Sequence, residues 1–193
     1  MKDQKGPIIA GLILLFFLVS RKSKAINSGG SVPGGGGGGS VPGSGVPGSA
    51  SESYLGRTDL PRGIRNNNPG NFKMSTTQWN GKIPQTDNLD GTFQQYYFFP
   101  MGVRMMIKEL KNNYIGAGYN TIDTLLNRYD PPGNPNYKTF VSTQTGIGIT
   151  DVLTDDKATL KKLVQALSRF ENGYTGTPEV VSDLTFDLAY SLI

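Results

Sequence analysis

Between residues 155 and 170 the apolar side chains Leu160, Leu163, Val164, Leu167 and Phe170 recur at three- and four-residue intervals, which places them on one stripe of a helix. Asn172-Gly173 follows directly, a normal stop signal. Residues 101–114 repeat the pattern through Val103, Met106, Ile107, Leu110 and Tyr114, with Asn112-Asn113 near the end. A shorter helix over 121–128 opens on Thr121 as its cap and stops before Asp130-Pro131-Pro132; another is predicted over 136–143. Between Asp87 and Phe99 the run GTFQQYYFF predicts one or two strands. The pattern is that of a mainly helical α+β domain over residues 54–193, long enough to bury a proper core.

The chain ahead of that domain follows different rules. Residues 6–20 are uncharged and almost wholly apolar, with Lys2 and Lys5 before them and Arg21, Lys22 and Lys24 after. At about 1.5 Å per residue such a helix covers roughly 22 Å of a hydrocarbon layer near 30 Å, so it predicts a short membrane segment helped by snorkelling lysines. A cleaved signal peptide with Ser23-Lys24-Ala25 at its cleavage site is the competing reading. The basic block after the apolar run disfavours it. Residues 26–53 are then mostly Gly, Ser, Pro and Val, with SVPG at Ser31 and Ser40 and a run of six glycines ending before Ser40. Nothing in that stretch can bury a core, so it is expected to be a flexible linker spanning roughly 25–30 Å. The expected organisation is thus a membrane anchor over 1–25, a linker over 26–53 and a folded domain over 54–193.

Charge supports the partition. Nineteen basic and fifteen acidic residues leave a net +4, but residues 1–25 alone carry that excess and the domain is nearly neutral. No basic face is rich enough to neutralise many phosphates, so nucleic acid is not an expected partner. The chain has no Cys and no His, which removes disulfides, the usual zinc sites, thiol nucleophiles and the Ser-His-Asp triad. It also lacks a D-x-D-x-D-G loop and a G-x-x-x-x-G-K-[ST] cradle. Neither a metal nor another cofactor is expected, and catalysis must rest on carboxylates, Lys or Tyr.

Residues 62–72 read RGIRNNNPGNF, with Trp79-Asn80-Gly81 shortly after. Asn and Gly tolerate positive φ and Pro fixes one dihedral, so this is a rigid series of turns lined with amides. Asn66, Asn67, Asn68 and Asn71 offer paired donors and acceptors suited to the hydroxyl and N-acetyl groups of a sugar. Trp79 offers a face on which a pyranose can lie. An Asn-rich turn without a ligand is the plain alternative.

RGIRNNNPGN, then W-x-G, then Gly102-Val103-Arg104, Tyr119-Asn120-Thr121-Ile122, Asn127-Arg128-Tyr129-Asp130-Pro131-Pro132 and Phe170-Glu171-Asn172-Gly173 follow in the order of a family that the chain resembles over roughly residues 62–174. These are phage virion proteins with lysozyme-like, peptidoglycan-cleaving domains. Phe72 stands where that family usually has Ile, and Tyr129-Asp130 replaces a Trp-Ala pair. The resemblance implies a lysozyme-like fold and cleavage of the glycan strand between N-acetylmuramic acid and N-acetylglucosamine by lytic transglycosylation. The anchor looks like that of virion enzymes in membrane-containing tailless phages. Its implied partners are peptidoglycan glycan strands, a lipid bilayer of virion or host, and capsid or vertex proteins.

Glycan cleavage needs only carboxylates, and the chain has four glutamates: Glu52, Glu109, Glu171 and Glu179. Glu52 falls in the expected linker, Glu109 lies between lysines on a solvated helix face, and Glu179 follows Pro178 as a first-turn residue. Glu171 follows Phe170 at the C-terminal end of an apolar-striped helix, where the helix dipole and aromatic neighbours both disfavour its charge. It is the expected catalytic acid. Asp87, Asp90 and Asp130 are candidates for the second carboxylate of a hydrolytic variant, though Asp90 reads most simply as a turn residue and Asp130 as a helix end. Tyr96, Tyr97 and Tyr174 are candidate groove residues, against the commoner fate of such aromatics in a core. A catalytically inactive structural or wall-binding virion protein is the alternative function.

Overall fold

A computed structural model of the chain describes residues 45–173 and 180–193. Within them the elements are α1 (Arg62–Arg65), α2 (Phe99–Lys108), α3 (Ile122–Tyr129), α4 (Pro135–Thr145), α5 (Lys157–Glu171) and α6 (Asp183–Ser191). Beyond Lys108 the chain of α2 widens into a π-helical turn over Glu109–Tyr114 and tightens into a 3-10 turn over Ile115–Ala117. Gly118 ends it with φ +89°, a left-handed stop that an L side chain resists.

Local chemistry accounts for the helix starts. Thr121 accepts a hydrogen bond from the Thr124 N–H in a reciprocal capping box. Asp156 accepts from Ala158 and Thr159 at the start of α5, and Ser182 from Thr185 at the start of α6. Each cap is worth about 1 kcal/mol. The predicted stripe of α5 faces inward: Leu160, Leu163, Val164 and Leu167 are fully buried, and each contributes roughly 1.5–3 kcal/mol by leaving water. α5 packs on α4, and α2 packs on α6.

The helical majority is as expected, but the α+β assignment is corrected. The aromatic run before α2 forms no strand: among the described residues there are only two isolated bridges, Lys73 with Phe93 and Lys82 with Tyr96. The reason is that residues 93–97 pair with turns rather than with an extended neighbour. The N–H of Gln94 donates to Phe72 O, that of Tyr96 to Asn66 O and that of Tyr97 to Gly81 O. The N–H groups of Met74 and Ile83 return one bond each, to Thr92 O and Gln95 O, but positive φ at Asn67, Asn71 and Gly81 bends the partner segments beside these single bridges, so no ladder propagates.

The single membrane segment has no counterpart among the described residues either. No described helix is long and apolar enough to cross a membrane, and residues 6–20, on which that segment was expected, lie outside the described residues. The folded unit also begins earlier than residue 54. Glu52 and Ser53, expected in the linker, are only 2% and 3% exposed. Glu52 accepts from the Gly48 N–H, the Tyr54 hydroxyl and the Thr185 hydroxyl, each at 2.8 Å, and its carbonyl accepts the Phe99 N–H at 2.7 Å. These bonds fasten residues 48–54 to the starts of α2 and α6.

Candidate functional site

Glu171, the last residue of α5, is half-buried. Its Oε1 accepts the Tyr137 hydroxyl at 3.0 Å. Asn71 Nδ2 donates to its Oε2 at 3.2 Å and to its main-chain carbonyl at 2.7 Å, so one amide both caps the end of α5 and holds the acid. Burial pushes the carboxyl above its ordinary 4.5; the Asn71 and Tyr137 bonds pull it down, the charge of Asp130 adds to the rise, and the net shift is upward. Burial also holds the Tyr137 hydroxyl well above 10, so it remains a donor across neutral pH.

Aromatic rings set these groups in place. Tyr137 stacks on Phe170 with centroids 3.8 Å apart. Tyr129 meets Phe72 edge-on at 5.4 Å and Tyr137 at 6.4 Å, and its hydroxyl donates to Gly70 O at 2.5 Å. Beside the acid, Asn172 Nδ2 bonds the carbonyls of Pro69 and Ser168, both at 2.8 Å, tying the end of α5 to the turn. A Cβ on Gly63 would lie 2.4 Å from Asn172 Oδ1 and 2.8 Å from Asn71 Oδ1. Only glycine allows the turn and the end of α5 to approach this closely.

The asparagines expected to meet sugar are mostly turned inward. Asn66, Asn67 and Asn68 are buried, and their amides are committed within the fold. Asn66 bonds Asp90 and Gln95. Asn67 bonds Ser53, Tyr54 and the carbonyls of Tyr96 and Tyr97. Asn68 bonds both polar backbone groups of Phe72 and the Gln94 carbonyl. They make the turns by supplying the bonds that a ladder would otherwise supply. Tyr96 is a core residue, fully buried with its hydroxyl on Gln94 Oε1, so it lines no groove. Trp79 sits half-buried on the 75–86 loop, joined to Glu171 by neither a hydrogen bond nor a ring contact. Tyr174 lies outside the described residues. Of the described residues expected to bind substrate, Asn71 is the one brought onto Glu171.

The three aspartates separate as clearly. Burial works against a charge on Asp90, yet the Arg62 fork at 2.7 Å, the Asn66 amide and the Phe93 N–H hold its carboxyl far below the usual range. Asp90 is a structural anion. Asp87 is exposed on its turn. Asp130, also exposed, is the one whose charge acts on Glu171. Sequence reasoning passed over Tyr137, because its partner lies 34 positions away and no local pattern joins them.

Next to the Asp130 turn lies a cleft of about 470 Å³ lined by Tyr119, Thr124, Asn127, Arg128 and Pro131. A second, of about 250 Å³, lies along the Trp79 loop between Ser75 and Thr86. Lys82 is anchored there, its Nζ donating to the carbonyls of Ser75 and Thr77 at 2.6 and 2.8 Å.

The chain is 31% identical over 121 residues to Protein P5 of Pseudoalteromonas phage PM2, an alignment that takes in 60% of this chain and 73% of that protein. The chain belongs to the Protein P5 family. Its relative is a phage protein, which agrees with the phage resemblance read from the ordered motifs. No family model matches this member of the Protein P5 family.

Proposed function

We propose that this chain is a phage virion enzyme that cleaves peptidoglycan glycan strands by lytic transglycosylation at the N-acetylmuramic acid to N-acetylglucosamine bond, opening the wall locally during entry or exit. The observation that supports it most is a half-buried Glu171 of raised pKa, held between Asn71 and Tyr137. A general acid working near neutral pH needs such tuning. In its neutral form Glu171 protonates the glycosidic oxygen as the bond to the anomeric carbon breaks. The resulting carboxylate then takes the proton of the sugar's own C6 hydroxyl, whose oxygen bonds the anomeric carbon and closes a 1,6-anhydro ring. Asn71 Nδ2 can only donate, so the proton of neutral Glu171 is directed to the Tyr137 hydroxyl or out to a ligand. A single acid suffices for this route. Hydrolysis would need a second carboxylate, for which Asp130 is the candidate.

A second reading draws on the same bonds. Both carboxylate oxygens of Glu171 are already engaged by neighbours, as they would be in a structural or wall-binding virion protein that does not cleave. A zymogram on peptidoglycan gels separates the two. Clearing by the native chain, lost in Glu171→Gln while binding to wall sacculi persists, supports the enzyme; the expected loss is 10²- to 10⁴-fold or more. Sacculus binding without clearing supports the module. Products with reducing rather than 1,6-anhydro ends would make it a hydrolase.

A further inference from the structure

Arg128 and Tyr129 are consecutive but enter different surroundings. Tyr129 packs among Phe72, Tyr114 and Tyr137, while Arg128 is exposed in the 470 Å³ cleft beside Pro131. Its guanidinium lies over the Tyr119 ring, 4.6 Å from the centroid, and 5.8 Å from that of Tyr114. Its Nη1 donates to the Tyr119 hydroxyl at 3.3 Å. Seats of this kind fix a long side chain and reduce its hydration. Arg128 forms no ion pair among the described residues; Asp123, on the same helix, is taken by Lys138 at 2.7 Å and by Asn127 at 3.2 Å. A guanidinium carries five N–H donors, and the bond to Tyr119 uses one of them. Asp130, two residues on, is exposed, and its repulsion of an anion is screened by water.

We propose that this cleft is an anion subsite in which the Arg128 fork grips a carboxylate carried by the glycan substrate, with Tyr119 and Pro131 as its apolar walls. The proposal rests on the glycan-cleaving reading and deepens it, because it names what distinguishes the substrate from a neutral chitin-like strand. Two peptidoglycan carboxylates have the required chemistry: the lactyl group of muramic acid where no peptide is attached, and the carboxylates of the stem peptide where one is. The position follows from Asp130, which lies between Arg128 and Pro131 of the cleft and whose charge acts on Glu171. The fork and the acid are thus near neighbours.

The test measures binding by the full chain carrying Glu171→Gln, so that ligands are not consumed and the result does not depend on whether the native chain cleaves. Three tetrasaccharides are titrated calorimetrically at low salt: alternating N-acetylglucosamine and N-acetylmuramic acid with free lactyl carboxylates, the same strand with stem peptides attached, and neutral chitotetraose. Adding Arg128→Gln should weaken at least one carboxylated ligand about tenfold and leave chitotetraose within about twofold. Arg128→Lys should fall between, since it keeps charge but loses the fork. Loss confined to the peptide-free strand assigns the lactyl group, and loss confined to the peptide-bearing strand assigns the stem. Equal weakening of chitotetraose, no weakening of either acidic ligand, or a parent that binds neither acidic ligand more tightly than chitotetraose overturns the subsite.

Discussion

Tyr137 donates to Glu171 Oε1 at 3.0 Å while its ring lies flat on Phe170, so one side chain is fixed by the residue before the acid and bonds the acid itself. Tyr137→Phe keeps the stack and removes the donor. Because that bond lowers the Glu171 pKa, its loss should raise it. Protonated Glu171 starts the proposed reaction, so the alkaline limb of the pH–rate profile should move to higher pH. Loss of one hydrogen bond to a charged group should also lower stability by about 1.5–3 kcal/mol. An alkaline limb that stays put would show that Tyr137 does not tune the acid.

The same carboxyl links folding to pH. Its folded pKa lies above the ordinary 4.5, so the folded state holds more protons than the unfolded state between those two values. The stability it contributes is fully present below about 4.5 and is lost as pH rises through the raised value. Glu171→Gln should remove that part of the decline. Thermal melts across pH 4–8 should show a shallower slope for the variant; parallel slopes would count against a raised folded pKa.

Gly63→Ala should damage both fold and site. Its new Cβ would sit 2.4 Å from Asn172 Oδ1 and 2.8 Å from Asn71 Oδ1, two buried oxygens that have no hydrogen-bond partner among the described residues. Pushing them away strains two amides that position Glu171, at a cost of about 1–3 kcal/mol. Melting temperature and wall cleavage should fall together. Unchanged melting would mean the turn can move aside.

A chain starting at residue 54 should be markedly less stable than one starting at 45. Removing Glu52 and Ser53 strands the buried Phe99 N–H, leaves the Thr185 hydroxyl with Ser182 alone and takes one acceptor from the Asn67 amide. Each buried polar group left unpaired costs about 1–3 kcal/mol. Denaturant midpoints of the two truncations give the comparison, and equal midpoints would show that residues 45–53 only rest on the domain.

Much of the helical frame was legible because its causes are local. The stripe of α5, the Thr121 cap and the stop at Asn172-Gly173 are written within a few residues of where they act. α6 was harder to see, since only Phe186 and Ala189 on its length are buried apolar groups, too few to set a period. The strand reading failed because GTFQQYYFF is extended and aromatic, and nothing in its own composition reveals that its partners are turns. At the site, scarcity of glutamate singled out Glu171. Asn66 to Asn68 were legible as turn formers, as the φ of +53° at Asn67 bears out, but not as inward-facing ones. Which way an amide faces depends on segments such as 93–97 that lie far along the chain.

The inward amides of residues 66–68 reverse the usual distribution of mutational tolerance. In most domains loops drift freely while the apolar core resists change, yet an apolar core position accepts another residue of similar volume at modest cost. Asn67 offers no such latitude: its one amide serves Ser53, Tyr54, Tyr96 and Tyr97, and its backbone is left-handed. Asp would lose the donors, Gln would misplace them, and Gly would supply neither. Saturation mutagenesis should therefore find this irregular turn among the least forgiving segments of the chain, less forgiving than the leucine stripe of α5.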